Sequence, residues 1–220
     1  MNNKNGFAAI FDMDGVLIQT YDLMWGSHNK ELARYGVHLT EKDIALYVGN
    51  SLRDNVRLWN ERYKLSIDFD KYSKHIWAVQ AELFKKLDIE PNLISLLEEL
   101  DMKNVPKGIG TCAHRERAKR VLRNTHLRKY FPVLVTSENV TNHKPHPDIY
   151  LEVARRLGVP PEKCVVIEDA RNGIQAARAG NMKAIGFLRK HNSLEQLAAA
   201  DMIISDFSEI NYDKLHNLFE

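Results

Sequence analysis

The sequence predicts an α/β fold: a parallel sheet with helices on both faces, and a block of helices inserted near the N-terminus. Three observations carry this. The apolar run Phe7–Phe11 ends in Asp12 and Asp14, with the turn former Gly15 next, which fits a buried strand opening onto a loop. From Thr20 to about Asp88 the apolar residues recur at helical spacing and nothing reads as a strand. From Glu90 onward, short apolar runs alternate with amphipathic helices, the pattern of strands joined by crossover helices.

The elements follow in order. Thr40-x-x-Asp43 and Ser51-x-x-Asp54 are helix-start boxes with Asp in place of Glu. Leu52, Val56, Trp59 and Tyr63 mark one helix; Phe69, Tyr72, Ile76, Val79, Leu83 and Leu87 mark a longer one. Pro91 suits a first helical position, with Leu93, Leu96, Leu97 and Leu100 on the apolar face. Lys107–Thr111 is a weak, glycine-interrupted strand, Ala113–Asn124 a basic helix and Val133–Thr136 a short strand. Pro147–Leu157 is a helix with Ile149, Tyr150, Val153, Ala154 and Leu157 inward, stopped by Gly158. Cys164–Ile167 is a buried strand ending in Glu168-Asp169, and Asn172–Ala179 a helix stopped by Gly180. Ala184–Phe187 and Met202–Ile204 complete the strands. The expected division is a core of residues 1–20 and 89–220 with a helical insert at 21–88.

Composition narrows the function. Of 220 residues, 44% are hydrophobic and 27% charged, as in soluble globular proteins. A net charge of +2 gives no strong pull toward nucleic acid or anionic membranes. No apolar run approaches a membrane span, and the N-terminal stretch lacks the apolar core of a signal peptide. Cys112 and Cys164 form no metal-type pair and read as reduced thiols of a cytoplasmic protein.

Each strand of a parallel sheet presents its C-terminal end along one edge, where α/β proteins keep their reactive groups. Here those ends carry Asp12 and Asp14, Thr111, Lys144 from a following loop, and Glu168-Asp169. Two carboxylates at one strand end are costly unless a cation or a shared proton relieves them. Hard oxygen ligands with open positions suit Mg²⁺, which takes carboxylates, waters and phosphate oxygens. The hydroxyl and ammonium suit the remaining phosphate oxygens. The inventory is that of phosphoryl transfer.

FDMDGVL, GTCAHRERAKRVL, HKPHPDIYLEVARRLGV and CVVIEDARNGIQAARAGNMKAIG resemble, in order, the four motifs of haloacid dehalogenase superfamily hydrolases. The likeness is to the group of beta-phosphoglucomutase and the phosphoglycolate-type phosphatases, and it covers nearly the whole chain. It implies a Rossmann-like core with an all-helical cap at 21–88, hinged near Gln19–Asp22 and Lys86–Pro91. It implies Asp12 as nucleophile and metal ligand, forming an aspartyl-phosphate. Asp14 becomes the general acid and base, with its backbone carbonyl on the metal. Thr111 and Lys144 hold the phosphoryl group. Asp169 is a metal ligand, and Glu168 is a ligand or its support. Arg53 and Asn172 are possible substrate contacts. The cofactor is Mg²⁺, and the partner a small phosphorylated metabolite rather than nucleic acid or membrane. The chain is expected to be a monomer or weak dimer. With substrate bound, the phosphate charge is expected to raise the Asp14 pKa.

Plainer readings stand beside these. Cys112 has no feature that lowers a thiol pKa. His143 and His146 lack the context of a metal site. The basic run from Arg115 to Lys129 reads as a solvated helix face, and Trp25, Trp59 and Trp77 as packing within the cap. The chain also departs from its relatives. Gln19 replaces an acidic residue beside Thr20, Met24 stands where mutase-like members have a His, and Leu52 aligns near their cap arginine, with Arg53 one position off. Ala170 stands where some members have Ser. These departures favour a phosphatase. A sugar-phosphate mutase is the alternative, and a non-catalytic phosphate-binding or interaction protein the second.

Overall fold

The computed structural model describes residues 6–85 and 87–220; Lys86, expected in a linker, lies outside them. The described strands are Ala8–Phe11 (β1), Lys107–Gly110 (β2), Val133–Val135 (β3), Cys164–Glu168 (β4), Lys183–Phe187 (β5) and Met202–Ile204 (β6). They form one sheet in the order β3-β2-β1-β4-β5-β6, with every pair parallel. The helices are Tyr21–Leu32 (α1), Glu41–Ile44 (α2), Leu52–Tyr63 (α3), Phe69–Leu83 (α4), Leu93–Met102 (α5), Arg115–Asn124 (α6), Asp148–Leu157 (α7), Arg171–Ala179 (α8), Leu194–Leu197 (α9) and Tyr212–His216 (α10).

Strand alternation divides the core. Ala9 and Phe11 point into a cluster with Leu93, Leu97, Phe131 and Phe207, while Ala8 and Ile10 join Tyr150, Val153 and Ile174 on the opposite face. The chain grows outward from β1 to β3, then returns to place β4 on the other side of β1. That reversal opens a crevice at the C-terminal end of β1. Phe11 pairs with Ile109 and with Ile167, so the ends of β2, β1 and β4 arrive level.

Helices α1, α3 and α4 bury a third cluster around Trp25, Leu32, Trp59, Tyr72 and Ile76. His28 lies within it, its Nδ1 2.9 Å from the Tyr72 hydroxyl. Thr40 and Asp43 make the full reciprocal capping box, and Ser51 accepts from the Asp54 N–H. Two backbone bonds pair the connecting segments: the Gln19 N–H donates to the Asp88 carbonyl (3.2 Å), and the Glu90 N–H to the Leu17 carbonyl (3.1 Å). No helix among the described residues is long and apolar enough to cross a membrane.

Several boundaries differ from the sequence expectation, each for a local reason. Leu87 falls beyond α4 and packs against the sheet-side cluster. Helix α5 begins at Leu93 because Asn92 takes a left-handed conformation (φ 61°), separating Pro91 from the helix. His114 is the cap of α6, its Nδ1 accepting from the Glu116 N–H. Strand β3 stops before Thr136, whose N–H turns to the Asn139 Oδ1 (3.0 Å). Helix α7 begins one residue later than expected, α8 one earlier, and β5 one earlier.

Candidate active site

Asp12 sits directly past β1, its N–H donating to the Ile167 carbonyl of the neighbouring strand at 3.0 Å. Lys144 Nζ reaches Asp12 Oδ1 at 2.6 Å and Glu168 Oε1 at 2.5 Å. The Tyr150 hydroxyl donates to the same Glu168 oxygen (2.7 Å), and the Ala170 N–H donates to the other (2.9 Å). Both Glu168 oxygens thus have protein partners, one of them Lys144, and Glu168 still reaches the cavity wall. Gly173 makes room for it: a Cβ there would run into the Glu168 carboxylate. Burial raises the Asp12 pKa well above the usual range; Lys144 opposes this, while Glu168, Asp169 and Asp14 add to it. Burial alone would discharge Lys144, but Asp12 and Glu168 more than offset it and hold the ammonium charged.

Asp14 follows at the turn. Gly15 takes φ 78°, a conformation that disfavours any side chain. Arg117 clasps Asp14 with both terminal nitrogens, Nη1 donating to Oδ2 at 2.6 Å and Nη2 to Oδ1. Thr20 donates to Oδ1 at 2.6 Å. Nη2 of Arg117 also lies 3.3 Å from the Met24 sulfur. Burial pushes the Asp14 pKa up, but the Arg117 charge and the Arg117 and Thr20 hydrogen bonds outweigh it and hold the carboxyl below its ordinary value. The guanidinium on the carboxylate drives this shift in the direction opposite to the one that phosphate charge is expected to produce. Arg117 belongs to the run read as a solvated face; it instead turns inward from α6 to the site.

Asp169, just past β4, receives His191 Nε2 on Oδ2 at 2.9 Å. The Asn192 amide donates to the Asp169 carbonyl at 2.7 Å. The Asp169 pKa is raised by burial, with Glu168 adding to the effect and His191 and Arg189 opposing it. Among the described residues no three His, Cys, Asp or Glu side chains converge as a ready metal cage. Mg²⁺ does not need one, since it keeps several waters and takes one or two carboxylates with substrate oxygens. Asp12 and Asp169 are two buried carboxylates that raise each other's energy, and a Cβ at Gly15 would strike Asp169 Oδ2. The donor set and this tight cradle fit a hard divalent cation.

These groups meet at a cavity of about 520 Å³ lined by Asp12, Asp14, Thr111 and Asp169 below and by Trp25, His28, Arg53 and Trp77 above. Thr111 lies past β2, its Oγ1 accepting from the Ala113 N–H at 3.1 Å. Lys144 is not among the lining residues; it lies buried behind Asp12. Arg53 lines the cavity with its guanidinium 3.8 Å above the Phe69 ring. Asn172 does not line it, because its amide donates to Asn50 Oδ1 at 2.8 Å, tying α8 to the helical segment. A second tie joins His143 to Asp54 (3.2 Å), which raises the His143 pKa and lowers that of Asp54. A third sets Trp77 against His114, ring centroids 4.2 Å apart and planes tilted by 35°. Trp77 is thus partly a contact to the sheet side as well as cap packing. Burial pushes the Cys112 thiol up to about 12, which rules out a ready thiolate.

Sequence reasoning missed Arg117, Tyr150 and His191 as parts of this site. Tyr150 carried a faint signal, a hydroxyl on a helix face otherwise apolar. His191 also carried one, in the polar run Arg189-Lys190-His191-Asn192 directly after a buried strand. Arg117 had none, since one arginine in a basic helix looks like any other.

The model of the haloacid dehalogenase-like hydrolase family matches residues 9–187. The chain is 33% identical over 179 residues to a phosphorylated carbohydrates phosphatase of Thermotoga maritima, covering 81% of this chain and 83% of that protein. It is 32% identical over 180 residues to a fructose-1-phosphate phosphatase of Escherichia coli, covering 80% and 93%. The crystal structure of a beta-phosphoglucomutase from Clostridium difficile superposes with a TM-score of 0.85 over 96% of this chain and 97% of that one, at 24% identity, and so shares the fold. By motif order, by sheet topology and by these matches, the chain belongs to the haloacid dehalogenase-like hydrolase family.

Proposed function

We propose that the protein is a Mg²⁺-dependent phosphatase acting on a small phosphorylated metabolite through an aspartyl-phosphate on Asp12. The observation that carries this is the buried Lys144 ammonium bridging Asp12 and Glu168 directly behind the Asp12 carboxylate that lines the cavity. A carboxylate attacking a phosphate needs its charge screened, and Lys144 supplies a fixed cation within 2.6 Å. Residues 21–88 act as the cap, whose Trp25, Arg53 and Trp77 roof the cavity. Phosphorylated carbohydrates are the favoured substrate class, because they are what the names of two relatives specify.

In this reading an Asp12 oxygen attacks phosphorus and the bond to the leaving oxygen breaks. Asp14 gives that oxygen its proton, then takes one from the water that hydrolyses the acyl phosphate. Thr111 and Lys144 hold the phosphoryl oxygens, and Lys144 reaches them past Asp12. Asp14 leaves its clasp with Arg117 to do this, since Arg117 and Thr20 engage both its oxygens. A Mg²⁺ ion held by Asp12, Asp169 and the Asp14 carbonyl would neutralise charge between carboxylate and phosphate. The cap excludes bulk water from the reaction.

A panel of phosphorylated metabolites with Mg²⁺ tests the proposal, with Asp12→Asn as the blank. Phosphate release and a hydroxylamine-sensitive phosphoprotein in wild type, both absent in the blank, support it. Isomer formation in place of phosphate release would make it a mutase. No turnover across the panel would return the reading to a binding protein.

A further inference from the structure

We propose that His191 is a positioning residue for the metal ligand Asp169 and that Tyr21 couples it to the cap. This rests on the reading of Asp169 as a Mg²⁺ ligand. Along one edge the imidazole meets Asp169, Nε2 lying 2.9 Å from Oδ2. On one face it stacks on the Tyr21 ring, with centroids 3.9 Å apart and planes 6° from parallel. The His191 side chain is only 4% exposed, so this is a built contact. Tyr21 is the first residue of α1, and its hydroxyl donates to Glu41 of α2 at 2.7 Å. One ring thus spans the distance from the metal loop to the cap.

The neighbours of His191 make the same connections. Arg189 Nε donates to the Gly15 carbonyl at 2.8 Å, and Arg189 Nη2 lies 2.6 Å from Glu90 on the second linker. Lys190 pairs with Asp22 of α1 at 2.6 Å. Asn192 donates to the Asp169 and Phe187 carbonyls. Four consecutive side chains after β5 therefore grip the metal-side loops on one hand and both cap linkers on the other.

The physical consequence concerns which Asp169 oxygen is available. Oδ2 is fixed by His191 and pressed toward Gly15, where a Cβ would collide with it. Among the described residues no hydrogen bond reaches Oδ1, which is left to bind a cation. Partners that orient a metal ligand in this way are worth about 10- to 100-fold in metal affinity. If the cap swings away, Tyr21 leaves with α1, the imidazole loses its stacking partner, and Asp169 loses its fixed orientation. Metal affinity and cap closure are then linked, each favouring the other by the same factor.

The test is Mg²⁺ affinity by titration calorimetry, which does not depend on turnover. His191→Ala and His191→Phe should each weaken binding about tenfold or more, the second while keeping a stacked ring. Tyr21→Ala should weaken binding several-fold although Tyr21 touches no ligand, whereas Tyr21→Phe, which loses only the bond to Glu41, should bind as wild type. The double variant Tyr21→Ala/His191→Ala should bind no more weakly than His191→Ala, since both act through one contact. Wild-type affinity in Tyr21→Ala, or losses that simply add, would overturn the coupling. Wild-type affinity in both His191 variants would overturn the positioning role. Asp169→Asn separates this from the metal reading. If it binds Mg²⁺ as wild type does, the metal reading itself fails; if it loses Mg²⁺ while the His191 variants keep it, only the present inference falls.

Discussion

At the scale of single residues, Asp12 and Asp14 are near neighbours in unlike surroundings. Asp12 is raised by burial and by three other carboxylates, with Lys144 as counter-charge; Asp14 is held down by Arg117. Asp12→Asn should abolish the phosphoprotein altogether. Asp14→Asn should slow turnover by about 10²–10⁴-fold while leaving Mg²⁺ binding largely in place, as measured by kinetics and calorimetry on one preparation. Arg117→Gln removes the largest influences that depress Asp14 and leaves only the Thr20 hydrogen bond and the Lys144 charge against its burial. Its pKa should rise, so the limb of the pH–rate profile that Asp14→Asn eliminates should move to higher pH. Lys144→Met strands Asp12 and Glu168 as buried, unpaired carboxylates and should cost about 3–5 kcal/mol in urea unfolding. Arg117 was hidden from sequence reasoning at this scale because its role depends on which way the side chain points, and Tyr150, read as inward, because the partner of its hydroxyl was unplaced. Two faces of a helix are alike in a list of residues until their partners are placed.

At the scale of elements, the helical segment contains its own pH sensitivity. Burial, with a smaller push from Arg117, lowers the His28 pKa to about 3 against 6.5 for an unperturbed imidazole. Between those values the unfolded chain binds a proton that the folded chain refuses. Stability therefore falls as pH drops through that window, by about 1.4 kcal/mol per pH unit at most. Thermal melts at pH 6.5 and 5 should show His28→Asn losing less stability than wild type, by up to about 2 kcal/mol. The elements themselves were largely legible. Strand β1 announced itself through an apolar run ending in acids, α3 through helical spacing and its cap at Ser51, and α4 through helical spacing. Boundaries were less so, since they turn on single backbone conformations. Asn92 in the left-handed region delays α5, and nothing in Pro91-Asn92-Leu93 signals that delay.

At the scale of the whole molecule, the helical segment is tied to the sheet side by Asn50–Asn172, Asp54–His143 and Trp77–His114. The paired variant Asn50→Ala/Asp54→Ala removes two of these ties. At about 0.5–1.5 kcal/mol for each hydrogen bond, it should raise KM by about tenfold, with a larger radius of gyration in X-ray scattering. The motifs revealed the sheet-side half of the site, because strand ends of a parallel sheet must gather on one edge. Of the cavity roof only Arg53 was legible; the rest of the roof and the ties stayed hidden, because they depend on how two packed bodies meet. The paired linkers have a mechanical consequence of their own. With Gln19 bonded to Asp88 and Glu90 to Leu17, the two crossings form a flat ribbon rather than two separate tethers. A ribbon bends readily across its width and resists torsion. A swing of the helical body on such a ribbon would follow the bend and not the twist, as a door follows its hinge.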